Sequence, residues 1–156
     1  MAQTGGMTEL TIRRAGPVDI PAIAALLADD FVAASREGAP LSAYERGFAA
    51  VDADPNQLLA VAELDGEVVA TMQISFIPGL SRGGSWRGHV EAVRVASDRR
   101  GQKIGEAMMA WAEARCRARG CVVCELTSDN RRDAAHRFYE RLGYTASHKG
   151  FKKMLG

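Results

Sequence analysis

Apolar and polar positions alternate over Leu10-Thr-Ile-Arg13, and the period then changes: Ile20, Ile23, Ala24 and Leu27, entered through Pro17 and Asp19, recur at helical spacing. A short strand followed by a helix is predicted. Ser42 with Glu45 three residues on has the form of a capping box, opening a second helix that ends before Asp54-Pro55 and carries Tyr44 and Phe48 on one face. Two apolar runs, 58–64 and 68–76, flank Asp65-Gly66-Glu67, and Asp-Gly tolerates the positive φ of a tight turn, so these runs are predicted to pair as an antiparallel hairpin. The glycine- and serine-rich stretch 78–88 is a loop leading to a strand over 89–96. Ile104, Met108, Trp111, Ala114 and Ala118 fall on one stripe of a long helix closed by Gly120. A strand over 121–127, a helix over 133–142 stopped by Gly143, and a short C-terminal strand over 151–154 complete the order. This order predicts one α/β domain over residues 9–156, with a mixed, mostly antiparallel sheet of six to seven strands and about four flanking helices. Residues 1–8, small and polar, are read as a loose tail outside it.

Composition narrows the function classes. Hydrophobic residues are 47% and charged residues 25%, as in an ordinary globular protein, and a net charge of +1 provides no global field for nucleic acid or anionic lipid. No apolar run approaches the roughly 20 residues of a membrane span, so a cytoplasmic protein without nucleic-acid or membrane partners is expected. Cys116, Cys121 and Cys124 cannot all pair, which argues for reduced thiols. Cys121 and Cys124 lie in an apolar run where an unbroken strand would turn them to opposite faces, so a buried structural role is expected rather than a shared metal.

The most informative segment is Val93-Arg-Val-Ala-Ser-Asp-Arg-Arg-Gly-Gln-Lys-Ile-Gly105, a strand running through a basic, glycine-containing turn into a helix. Free N–H groups and the positive end of the helix dipole suit a diphosphate there. Neither the kinase-type phosphate loop nor the Gly-x-Gly-x-x-Gly dinucleotide pattern is present.

Arg100-Gly-Gln-Lys-Ile-Gly105 resembles the central Arg/Gln-x-x-Gly-x-Gly/Ala motif of the GCN5-related N-acetyltransferase (GNAT) family. Ala135-His-Arg-Phe-Tyr-Glu-Arg-Leu-Gly-Tyr144 is similar to that family's late helix and following turn, and Glu91-Ala-Val-Arg-Val95 to its fourth strand. The subgroup most resembled is the aminoalkylphosphonate-acetyltransferase-like proteins. Lys103 departs from the motif, standing where the family usually has glycine, and a helical φ would suit it.

The resemblance implies a GNAT-like domain that uses acetyl-CoA as co-substrate to acetylate an amine. It implies a cofactor site at Val93, Arg94, Val95, Arg100, Gly101, Gln102, Lys103, Ile104, Gly105, Asn130, Arg132, Ala135 and Phe138, with the backbone of Val93 and Val95 pairing with the pantetheine arm. Arg132 stands where relatives often carry a pantetheine-holding Asn, and Asn130 lies two residues earlier. Acetyl transfer also needs a base and a proton for the leaving thiolate. Glu91 has the parity of Val93 and Val95, so an unbulged strand would set its carboxylate on their apolar face, whereas a β-bulge would turn it outward. It is the candidate base, with His89 in reserve, and Tyr139 is the candidate acid. His136, on the same helix side as Tyr139, is left outside the site.

The acceptor pocket is expected from Phe31, Tyr44, Phe48 and the loop around Trp86, and no Arg cluster for an anionic acceptor stands out, Arg82 and Arg87 included. A small-molecule amine is the expected acceptor. A protein N-terminus or lysine, or a non-catalytic acyl-CoA sensor, are the alternatives. His89 and Glu91 alone are weak grounds for a metal, and none is expected. An isologous homodimer through the C-terminal strand would suit this order of elements.

Overall fold

The computed structural model describes residues 9–30 and 37–156. The tail 1–8 and Phe31 lie outside the described residues. In chain order the elements are β1 (Leu10–Arg14), α1 (Ile20–Ala28), α2 (Leu41–Ala53), β2 (Gln57–Leu64), β3 (Glu67–Ile77), a single helical turn α3 (Ser81–Gly84), β4 (Trp86–Val95), α4 (Ile104–Ala118), β5 (Cys121–Leu126) and α5 (Asp133–Arg141). Among the described residues they form one α/β domain whose sheet runs β1-β2-β3-β4-β5, antiparallel except for the parallel β4–β5 pair.

The Asp65-Gly66 hairpin is present, with φ of 52° and 77° at its two turn residues. One face of the sheet packs Ala60, Ala62, Met72, Ile74 and Val90 against Met108, Met109 and Ala112 of α4. The other face carries a smaller cluster in which Ala15, Ile23 and Val61 meet Leu27 and Phe48 of α1 and α2.

Several expectations are corrected. Among the described residues the sheet has five strands, not six to seven, because 151–154 forms none: residues 145–156 have no regular structure and are exposed throughout. A strand exists only with an edge to pair with, and here Phe151, Met154 and Leu155 are 92%, 88% and 95% exposed. Ser42 is not a cap, since α2 opens one residue earlier behind Pro40 with no side-chain cap. The buried stripe of α4 is Ile104, Met108, Met109, Ala112 and Cys116, while Ala114 and Ala118 face solvent. Alanine fits either face, so it misled the phase of the helix.

Cys121 and Cys124 are not on opposite faces. The β4–β5 register steps from Trp86↔Cys121 to Arg87↔Val123, leaving Val122 as an extra, exposed residue. That bulge reverses the parity and sets both thiols against Cys116. Gly88 makes room for this cluster, because a Cβ there would lie 2.2 Å from Cys116 Sγ.

Candidate active site

The site is organised by the way β4 leaves β5. Pairing with β5 ends at Val90↔Leu126, whereas pairing with β3 continues to Val95. The Ala96 N–H donates to the Val69 carbonyl at 2.8 Å, toward β3. Backbone groups alternate sides along a strand, so those of Val93 and Val95 point into the gap that β5 has vacated. Within that gap, Arg94 Nη1 donates to the Val93 carbonyl at 2.9 Å.

A second bulge bends β4 beside the gap. Ala92 has φ 52°, and the β3–β4 register skips from Gln73↔Glu91 to Thr71↔Arg94. Parity therefore reverses between Glu91 and Val93. Val93 and Val95 pack with Val90 on the α4 face, while His89, Glu91 and Arg94 share the α1/α2 face with Ser75, Gln73 and Thr71. Glu91 is exposed there, so the burial expected beside Val93 and Val95 is not found.

Past β4, a 3-10 turn over Ser97–Arg99 leads through Arg100, Gly101, Gln102 and Lys103 into α4. Gly101 has φ 79° and Lys103, the N-cap, has φ 61°. The helical φ expected for Lys103 is thus corrected: its backbone is left-handed, the region in which glycine is unstrained. The first bond of the helix runs from the Ala107 N–H to the Lys103 carbonyl, so the amides of Ile104, Gly105 and Glu106 precede the helical ladder. Arg100, Gly101, Gln102 and Lys103 are exposed and Ile104 is buried. Gly105 serves packing: a Cβ there would lie 3.3 Å from Cζ of Phe138, so its absence lets α5 close on the first turn of α4.

Tyr139 is half-buried on α5, edge-on to Phe138 at 5.1 Å and to Tyr144 at 6.0 Å. Burial pushes its phenol above the ordinary value, and Arg94 and Arg132 pull it part of the way back, so it is protonated at neutral pH. Arg132, the residue capping α5, lays its guanidinium on Asp30, Nη1 at 2.5 Å from Oδ2 and Nη2 at 2.9 Å from Oδ1. Arg94 Nε lies 3.3 Å from the same Oδ2. Asp30 was not among the expected site residues; a lone aspartate after a helix carries no signal, and its partners lie far along the chain. His136 Nε2 lies 2.8 Å from the Asp129 carbonyl and ties the preceding loop to α5. Ala135 is half-buried on α5, and Asn130 is exposed in that loop.

Of the expected acceptor residues, Tyr44 donates to Glu37 at 2.8 Å, and Phe48 belongs to the α1/α2-side core. Trp86 does not line that side: it opens β4 in the α4-side core, with the Arg119 guanidinium 5.7 Å from its ring. Arg87 pairs with Glu125 at 2.8 Å on the surface, and His89 Nδ1 lies 3.9 Å from the same carboxylate. Among the described residues no group of three or more His, Cys, Asp or Glu is arranged to hold a metal ion, and no helix is long and apolar enough to cross a membrane.

The profile of the Acetyltransferase (GNAT) family matches residues 20–144. The chain is 40% identical over 113 residues to an aminoalkylphosphonate N-acetyltransferase of Salmonella typhimurium, covering 72% of this chain and 73% of that protein. Among solved structures it is similar to one described as a transcriptional regulator from Bacillus halodurans, with TM-score 0.90 and 41% identity over 94% of this chain and all (100%) of that one. A putative acetyltransferase from Agrobacterium tumefaciens has TM-score 0.83 and 27% identity over 92% and 99% of the two chains.

Proposed function

The chain belongs to the GNAT acetyltransferase family and is an acetyl-CoA-dependent acyltransferase, and from that premise we propose that it acetylates the primary amine of a small molecule by direct attack in a ternary complex. The observation that carries the reading is the parting of β4 from β5 at the Ala92 bulge, with the glycine-bearing turn into α4 beyond the end of the same strand. A pantetheine arm fits that slot as a partial strand, taking the gap-facing backbone groups of Val93 and Val95. The amides of Gln102 to Gly105, with the charges of Arg100 and Lys103, fit a diphosphate. Phe138, Ala135 and Asn130 would flank the arm from the α5 side.

Acetyl-CoA supplies the activated acetyl group. Glu91, on the α1/α2 face of β4, holds the acceptor's ammonium and takes its proton, directly or through water, with His89 two residues away on the same face. The Tyr139 phenol keeps its proton at neutral pH and supplies a hydrogen bond or a proton to the departing thiolate. A small acceptor is supported by the aminoalkylphosphonate substrate in the name of the Salmonella relative.

The test is thermal melting with saturating acetyl-CoA, followed by CoA-thiol release across a panel of amines with the unmodified enzyme, Glu91→Gln and Tyr139→Phe. Acetyl-CoA is expected to raise the melting temperature by mass action, and each variant to lower kcat about 100-fold. No melting shift overturns the reading; a shift with no release on any amine supports an acyl-CoA sensor instead.

A further inference from the structure

Three thiols that the proposed reaction does not use meet where the end of α4 packs on β4 and β5. Cys116, in the last turn of α4, is buried, while Cys121 and Cys124 on β5 are half-buried. Cys116 is in hydrogen-bonding contact with both of the others. Its sulfur and that of Cys121 lie 2.2 and 3.8 Å from the point that a Cβ on Gly88 would occupy. Two local devices bring the sulfurs together. The bulge at Val122 turns Cys121 and Cys124 to one face and leaves a valine 61% exposed, and Gly88, the cross-strand partner of Cys124, holds no side chain where the sulfurs meet. Apolar filling of a core requires neither device.

The thiols are not equivalent. Cys124 Sγ lies 3.4 Å from the Tyr144 hydroxyl, which donates to Glu113 Oε1 at 3.0 Å. The hydrogen bond from Cys116 holds the Cys124 thiol below its ordinary value against the effect of burial, and the same contact pushes Cys116 up. Burial pushes the Cys121 thiol up. A partly accessible sulfur with thiolate character therefore stands against a buried, protonated one.

We propose that Cys124 and Cys116 are a peroxide-sensitive pair, Cys124 the attacking sulfur and Cys116 the resolving one, which oxidation closes into a disulfide between β5 and α4. The Cys124 thiolate attacks one oxygen of hydrogen peroxide and the O–O bond breaks. The second oxygen leaves as hydroxide, takes up the proton that the thiol gave up and becomes water, while Cys124 becomes a sulfenic acid. Cys116 then gives up its proton and attacks the sulfenic sulfur, the S–O bond breaks, and the hydroxyl leaves with that proton as a second water. Two thiols are oxidised to one disulfide as one peroxide is reduced, and a dithiol reductant reverses the change. Cys121 takes no part.

The reduced full chain, exposed to a modest molar excess of hydrogen peroxide, alkylated and digested without reduction, tests the pair. The expected product links Cys116 to Cys124 within one chain, with fragmentation between Cys121 and Cys124 assigning the bond, and dithiothreitol restores both thiols. Cys124→Ser is expected to slow the loss of free thiol about tenfold or more, and Cys121→Ser to leave rate and product within about twofold. Cys116→Ala should halt at a sulfenic acid on Cys124 that dimedone captures. The peptide map of the unmodified chain decides the pairing even where a substitution at buried Cys116 disturbs the fold. Methionine oxidation with all thiols still free, a bond that includes Cys121, a bond between two chains, or a Cys116–Cys124 bond that forms only in urea overturns the proposal.

Discussion

Lys103 holds a left-handed backbone, φ 61°, at the cap of α4, and there its charge and its conformation act against each other. An L-residue other than glycine is strained in that region by roughly 1–2 kcal/mol, offset in part by the greater unfolded freedom of glycine. Lys103→Gly is therefore expected to stabilise the fold by about 0.5–1 kcal/mol in denaturant unfolding while raising the KM for acetyl-CoA, because the cation proposed to sit beside the diphosphate is removed. A loss of stability would show that the lysine is not strained. The motif itself was legible because its residues are contiguous and their chemistry is local. Asp30 was not legible, since nothing about a single aspartate reveals that Arg94 and Arg132 will close on it. For Glu91 the sequence left two faces open, and the structure takes the bulged one, for a cause that lies one scale up.

In a strand, one inserted residue reverses every inference from parity, and two bulges decide the faces here. Ala92 separates Glu91 from the valines it was expected to join, and Val122 brings Cys121 and Cys124 to the same side. Neither is announced by glycine, the usual marker of such a site. Ala92 has left-handed φ, so Ala92→Val is expected to destabilise the protein by about 1–2 kcal/mol, through a β-branched side chain in a region it avoids. Ala92→Gly should be no less stable than the parent. If urea midpoints show the two variants alike, the bulge is not held in this conformation. The hairpin, the α4 C-cap at Gly120 and the helix stop at Gly143 were legible because turn chemistry is local, with φ of 77° at Gly66, 78° at Gly120 and 93° at Gly143. The absent C-terminal strand was not, because apolar residues such as Phe151 and Met154 promise a strand only if an edge is free to receive them.

For the whole molecule, a partly buried ionic knot ties β1 to the turn before α1 and to β2. Asp19 receives Arg13 at 2.8 and 2.9 Å and the Gly16 N–H at 2.7 Å, and Arg13 reaches on to Glu63 of β2 at 2.7 Å. The Arg13 guanidinium holds the Asp19 carboxyl below the usual carboxylate range. A depressed pKa stabilises the fold fully above the unfolded value of about 3.9, and that stabilisation is lost as pH falls from there toward the folded value. Melting temperature should accordingly fall steeply below about pH 4, and Asp19→Asn should start from lower stability and flatten that limb. An unchanged acid limb in the variant would place the titration elsewhere. The strand order has a further consequence, for how the molecule is made. β1 to β4 are consecutive strands and adjacent in the sheet, so their antiparallel pairings need no residue beyond β4 and can form while the chain is still emerging from the ribosome. β5 docks parallel to β4 only after α4 has been synthesised, and α5 follows it. The slot where the two strands part is therefore absent from the nascent portion that ends at β4, and comes into being only once β5 has docked.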